Sequence, residues 1–160
     1  MVYNRLLPIL NQSQTNEQCG FRPGLRIDDA LVIAESMFSK CSEFNIPIWM
    51  ASLDLKKAFD RVSYSAIFEA LRSQGIDEPM IALLLDLYSM QSGSTRGGKA
   101  FPIRRGVRQG DIISSIIFNA VLEYAFQSWK NKLGDHGWLL SNEALERLTN
   151  SRYADDMRYF

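Results

Sequence analysis

Three carboxylates are the residues in this chain best suited to chemistry. Asp54 closes an apolar run, Ile46-Pro47-Ile48-Trp49-Met50-Ala51-Ser52-Leu53, and Asp155 and Asp156 adjoin near the C-terminus. A lone carboxylate at a strand end is more often a cap or a solvated turn residue. Adjacent Asp residues are common in turns, where their side chains bond nearby backbone. Held side by side at neighbouring strand ends, such groups repel, and a cation between them relieves the repulsion. Mg²⁺ takes oxygen ligands, typically one or two carboxylates plus substrate phosphates. Two such ions can activate an attacking hydroxyl and stabilise the leaving oxygen of a phosphoryl transfer. Residue types and spacing alone allow that chemistry without selecting it.

The elements that must position these groups follow from the apolar spacing. Val2 to Leu10 reads as a helix end restricted by Pro8. Asp28 and Asp29 cap a helix whose apolar residues, Ala30 through Phe38, recur at helical spacing to about Glu43. Ile46 to Leu53 reads as a buried strand leading into Asp54. Ser63 caps a helix that stops at Gly75, and Asp77 with Pro79 opens another through Leu87. Gly97-Gly98 marks a hairpin within Gly93 to Arg104. Gly106 to Asp111 is a loop, and Ile112 to Trp129 an apolar helix. Gly134 to Gly137 turns the chain, Glu143 to Leu148 reads as a helical turn, and Leu148 to Phe160 as two strands folded about Asp155-Asp156. The order predicts an α+β domain, with helices packed on a small antiparallel sheet.

Composition narrows the class. A chain of 160 residues with 46% hydrophobic and 22% charged residues suits one globular domain. The formal net charge is zero, whereas nucleic-acid binders are usually basic. Any phosphate binding must therefore come from local charge. Gly93 to Gly110 holds Arg96, Lys99, Arg104, Arg105 and Arg108 with no acidic residue, and Arg22 and Arg26 stand elsewhere. Such a run is commonly a solvated face, or else it holds strand phosphates. Two cysteines, Cys19 and Cys41, and one histidine, His136, exclude a structural zinc site and argue against a disulfide framework. The cysteines read as core residues and His136 as a loop residue. No apolar run approaches the roughly 20 residues of a membrane span, and the N-terminus lacks a signal-peptide pattern. The chain therefore reads as intracellular, with no membrane partner.

Four motifs in order carry a resemblance. Glu17-Gln18-Cys19-Gly20-Phe21-Arg22-Pro23-Gly24, Leu53-Asp54-Leu55-Lys56-Lys57-Ala58-Phe59-Asp60-Arg61-Val62, Arg105-Gly106-Val107-Arg108-Gln109-Gly110 and Tyr153-Ala154-Asp155-Asp156 span most of the chain. They resemble the QxGFRPG, DxxKAFD, RQG and YxDD boxes of reverse transcriptases of the LINE-type or group II intron kind. The DLKKAFDRV wording leans towards the LINE side. The resemblance implies an RNA-directed DNA polymerase that adds deoxynucleotides to a primer 3′-hydroxyl on an RNA template by two-metal phosphoryl transfer. Asp54 and Asp155 would bind two Mg²⁺ ions, with Asp156 supporting and the Leu55 carbonyl adding a ligand. Phe59 falls where the family places a steric gate against the 2′-hydroxyl; otherwise it is a core residue. Gln109 and Gly110 would lie against the incoming nucleotide, where a residue without a side chain lets backbone approach a ligand. Tyr153 would pack near the primer end, and Arg22, Arg96, Lys99, Arg104, Arg105 and Arg108 would bind nucleic acid.

The resemblance also implies an organisation. A fingers remnant over about 1–45 would precede a palm over about 46–160, cut short after the YADD box, with incomplete fingers and no thumb. On that reading the fragment alone would not polymerise processively. The chain departs from the family pattern twice: Asp111-Ile112-Ile113 stands where a small residue, proline and an aliphatic residue are usual, and Arg158 interrupts an apolar strand. An acid at 111 either repels triphosphate or caps the next helix. These departures keep open an inactive retroelement remnant, or a module that grips nucleic acid without catalysis. A retrotransposon enzyme would also require access to the nucleus.

Overall fold

Local signals place most of the helices. The computed structural model describes residues 1–139 and 147–160. Helix α1 (Val2–Ser13) runs on past Pro8 instead of ending near Leu10. Helix α2 (Ile27–Glu43) starts with a capping box in which the Arg26 backbone N–H donates to Asp29 Oδ2 at 2.6 Å. Strand β1 (Ala51–Asp54) and the short helix α3 (Ala58–Arg61) follow. Ser63 Oγ accepts from the Ala66 N–H to cap α4 (Tyr64–Ser73), and Asp77 accepts from the Met80 N–H to cap α5 (Glu78–Ser89). The expected stop at Gly75 is present, with φ of 83° just beyond α4. The Gly97-Gly98 hairpin joins β2 (Ser92–Gly93) to β3 (Phe101–Pro102). Helix α6 (Ile112–Leu133) extends one turn past the expected Trp129. The chain ends with β4 (Trp138–Leu139), β5 (Arg147–Leu148), β6 (Asn150–Tyr153) and β7 (Asp156–Tyr159).

All strand pairs are antiparallel, in sheets ordered β1-β7-β6, β2-β3 and β4-β5. The fold is therefore α+β, helices with small antiparallel sheets, as the element order predicts. The helical turn expected over Glu143 to Leu148 falls mostly on residues 140–146, outside the described residues; Arg147 and Leu148 form β5. Among the described residues, no helix is long and apolar enough to cross a membrane.

Two compact units divide the chain: residues 1–14 with 57–126, and residues 15–56 with 127–160. The first unit buries Leu6, Leu10, Ile67, Leu71, Leu84, Tyr88, Ile117 and Phe118 almost completely. Each such side chain contributes about 1.5–3 kcal/mol through removal from water. Gln74 Nε2 donates to the Ala120 carbonyl at 2.7 Å, fastening the end of α4 to α6. In the second unit α2 packs on β6, and Met37, Cys41 and Leu148 form a cluster with Ile33, Ile48, Trp138 and Phe160. Cys19 and Cys41 are free buried thiols, as expected of core residues.

One expectation fails. The run before Asp54 is not a buried strand: β1 is four residues long and exposed throughout, with Trp49 88% and Leu53 44% exposed. Among the described residues β1 pairs with β7 alone, at the edge of its sheet. Truncations should separate the two environments. Leu71→Ala, in the buried face of α4, is expected to cost about 2–5 kcal/mol. Leu53→Ser, on the exposed edge, should stay within about 0.5 kcal/mol; urea denaturation of both variants measures the contrast.

Candidate active site

The β1-β7-β6 sheet positions the carboxylates. In its register Asp54 pairs with Asp156, and Asp156 pairs with Tyr153, so these three residues form one row across the sheet. Directly opposed residues project from the same face. Asp155 lies in the two-residue turn, Ala154-Asp155, that joins β6 to β7, and Leu55 follows β1 directly. The hairpin thus turns about Ala154-Asp155, one residue earlier than the sequence suggests. Asp54 and Asp156 are exposed and Asp155 is half-buried. Among the described residues no three His, Cys, Asp or Glu side chains gather closely enough to hold a metal unaided. Carboxylates are the oxygen donors that Mg²⁺ accepts, and that ion completes its shell with water and substrate phosphate.

The turn itself is held by a residue the sequence gives no role. Gln18 is fully buried; its Oε1 accepts from the Ala154 N–H at 3.1 Å and the Gly20 N–H at 2.9 Å, and its Nε2 donates to the Ala154 carbonyl at 3.3 Å. Ala154 has φ of 57°, a left-handed conformation costing a non-glycine residue about 1–2 kcal/mol. The clamp offsets that cost. The Cys19 N–H donates to the Arg152 carbonyl at 2.8 Å and the Arg152 N–H to the Glu17 carbonyl at 2.7 Å, so residues 17–19 run parallel beside β6. Gly20 is required here, because a Cβ would lie 2.2 Å from the Ala154 nitrogen. The only sequence signal is the Gln-x-Gly spacing before Phe21.

Buried charge secures the same edge. Glu17 pairs with Lys130, lies 3.8 Å from Arg152 Nη2 and accepts from Thr149 Oγ1 at 3.2 Å. Arg152, fully buried, also donates to Thr15 Oγ1 at 2.8 Å. Arg22 donates to the carbonyls of Thr15 at 2.7 Å and Gln18 at 3.2 Å. It is thus engaged in holding this loop, unlike the exposed basic residues farther along. Burial pushes the Cys19 thiol above its usual range, and nearby Asp29 adds to the effect.

The other expected residues fall in the first unit. Phe59, half-buried on α3, stacks on the buried Phe118 with ring centroids 4.3 Å apart and planes 16° from parallel. The loop before α6 is bonded to the same segment: the Gly106 N–H donates to the Val62 carbonyl at 2.7 Å and the Val107 N–H to the Phe59 carbonyl at 2.8 Å. Gly106 has φ of 92°, and a Cβ there would meet the Asp60 backbone at 3.0 Å. Gln109 and Gly110 are exposed, Gly110 with φ of 87° and open space around it. Asp111 caps α6, accepting from the Ile113 N–H at 3.1 Å. Arg96, Lys99, Arg104, Arg105 and Arg108 are all exposed in this segment.

The sequence profile described as "Reverse transcriptase (RNA-dependent DNA polymerase)" matches residues 1–160. The chain belongs to the reverse transcriptase family. It is 34% identical over 140 residues to the Pol polyprotein of the type-1 retrotransposable element R2 of Popillia japonica, covering 82% of this chain and 19% of that protein. It is 28% identical over 148 residues to the polyprotein of the type-2 element R2DM of Drosophila melanogaster, covering 89% of this chain and 13% of the relative. The COX1/OXI3 intron 1 protein of Saccharomyces cerevisiae is 27% identical over 114 residues, covering 71% of this chain and 13% of that protein. This reverse transcriptase domain thus spans about a fifth or less of the relatives it matches. Its fold is that of the telomerase of Candida albicans, solved in complex with a TWJ fragment of telomeric RNA. The TM-score is 0.67 at 16% identity, covering 98% of this chain and 29% of that one.

Two substitutions test how the site is held. Gln18→Ala strands the buried backbone groups of Ala154 and should cost about 1–3 kcal/mol, and it should speed alkylation of Cys19 in the folded chain. Ala154→Gly relieves the left-handed residue at some entropic cost. It is expected to shift the urea midpoint upward by a margin equivalent to about 0.5–1 kcal/mol.

Proposed function

We propose that this domain extends the 3′-hydroxyl of a DNA primer with deoxynucleotides on an RNA template, through two-metal phosphoryl transfer. The observation that carries the reading is the row in which Asp54 faces Asp156, with Asp155 in the adjoining turn, inside a chain matched throughout by the reverse transcriptase profile. Asp54 and Asp155 hold the Mg²⁺ pair, Asp156 supports them, and the Leu55 carbonyl adds an oxygen. The chemistry such a pair supplies when bound is activation of the primer hydroxyl and stabilisation of the pyrophosphate leaving oxygen. Phe59 sits under the sugar of the incoming nucleotide and excludes a 2′-hydroxyl, its ring braced by Phe118. Gln109 and Gly110 line the nucleotide, and Tyr153 packs at the primer end. Arg96, Lys99, Arg104, Arg105 and Arg108 bind strand phosphates. A telomerase with the same fold, solved with RNA, supports the assignment of an RNA partner. A fingers segment over about 1–45 and a palm over about 46–160 are the corresponding domain assignment.

The capping bond from the Ile113 N–H gives Asp111 a structural role, and this favours an active domain over a decayed one. The test is Mg²⁺-dependent extension of a DNA primer on an RNA template by the longest native chain containing this domain. Asp54→Asn and Asp155→Asn are each expected to abolish extension while leaving thermal stability unchanged. Phe59→Val should preserve extension and raise incorporation of ribonucleotides. No extension from a folded wild-type protein would instead assign the domain to nucleic-acid binding without catalysis.

A further inference from the structure

Arg158 occupies the middle of β7, the central strand, and its cross-strand neighbours on both sides are serines, Ser52 on β1 and Ser151 on β6. Alternation along the strand places this row on the same face as Asp54 and Asp156. The two rows are two residues apart, or roughly 6.6–6.8 Å along the strand. A recess of about 240 Å³ opens on that face, lined by Arg158, Ser52, Ser151, Tyr153 and Asp156, with the first turns of α2 as an apolar wall. Ser151 is 5% exposed, and its hydroxyl has no hydrogen-bond partner among the described residues. The Arg158 guanidinium, half-buried, likewise has no ion pair or hydrogen bond among the described residues. Both groups line the recess, where neither is taken up by a protein partner among the described residues.

We propose that Arg158, with Ser52 and Ser151, binds a backbone phosphate of the nucleic-acid strand whose reacting end lies over the Asp54–Asp156 row. This rests on the function proposed above. Guanidinium and hydroxyl donors are the groups that hold phosphate oxygens, and an apolar wall strengthens the attraction by lowering the local dielectric. The recess is polarised, with Asp156 at one end and Arg158 at the other. A cation belongs at the first end and an anion at the second. A nucleoside triphosphate keeps its phosphates on the cation, so a group one row away belongs to a strand that continues past the carboxylates.

The test is the salt dependence of binding an RNA–DNA duplex, measured by fluorescence anisotropy for wild type, Arg158→Gln, Arg158→Lys and Ser151→Ala, with thermal melting as the check on folding. Loss of one phosphate contact should reduce the slope of log K against log salt by about 0.9 in Arg158→Gln, while Arg158→Lys keeps the wild-type slope. Ser151→Ala should weaken binding without changing the slope. An unchanged slope in a folded Arg158→Gln protein overturns the proposal. So does a rise in the KM for deoxynucleotide with unaltered duplex binding, which would assign Arg158 to the triphosphate. Binding is measured without Mg²⁺ and also in Asp54→Asn, so failure of the catalytic reading leaves this result interpretable. An active polymerase with an unchanged slope refutes only the role of Arg158.

Discussion

The site depends on two hydrogen bonds from one buried amide. Gln18 satisfies both backbone groups of Ala154, the residue whose left-handed φ lets β6 turn into β7 within two residues. Without that turn Asp155 would not sit between the strands, and β7 would not enter the sheet in the register that sets Asp156 against Asp54. The clamp needs residues 17–20 fixed beside β6, and the Glu17–Lys130 and Glu17–Arg152 pairs meet that need. Buried charges of this kind are tolerated because each is paired and hydrogen-bonded, and removal of one partner would leave the others exposed to the full desolvation penalty. A motif that reads as a loop is in effect a fourth strip of the sheet.

Much of this was legible in the residues. Helix starts at Ser63 and Asp77, the stop at Gly75 and the Gly97-Gly98 hairpin are local events, governed by cap chemistry and backbone freedom over a few residues. The YADD hairpin was legible for the same reason, apart from a one-residue shift in its turn. Asp111 was ambiguous because a cap and a repelling charge look alike until the Ile113 N–H is placed.

What sequence reading missed depends on distant partners. The run before Asp54 has the composition of a buried strand, yet burial is decided by whatever lies on either side, and β1 is an edge. Pro8 stays inside α1, where tertiary packing of Leu6 and Leu10 outweighs the local penalty. Gln18 carried no visible role because its partner is Ala154, far along the chain. The spacing of Gln18 and Gly20 was the sole trace of it.

The interrupted layout of the second unit has a consequence for biogenesis. Its two halves, residues 15–56 and 127–160, are separated by the segment 57–126 that belongs to the first. β7 lies between β1 and β6 in the sheet although it follows both in sequence. During synthesis, Asp54 therefore leaves the ribosome long before Asp156 and waits unpaired on an apolar strand with open edges. Pairings of such sequence separation form slowly, and unfilled edges are prone to association in the interval. The row of Asp54 and Asp156 therefore forms only once β7 has been made and has inserted beside β1.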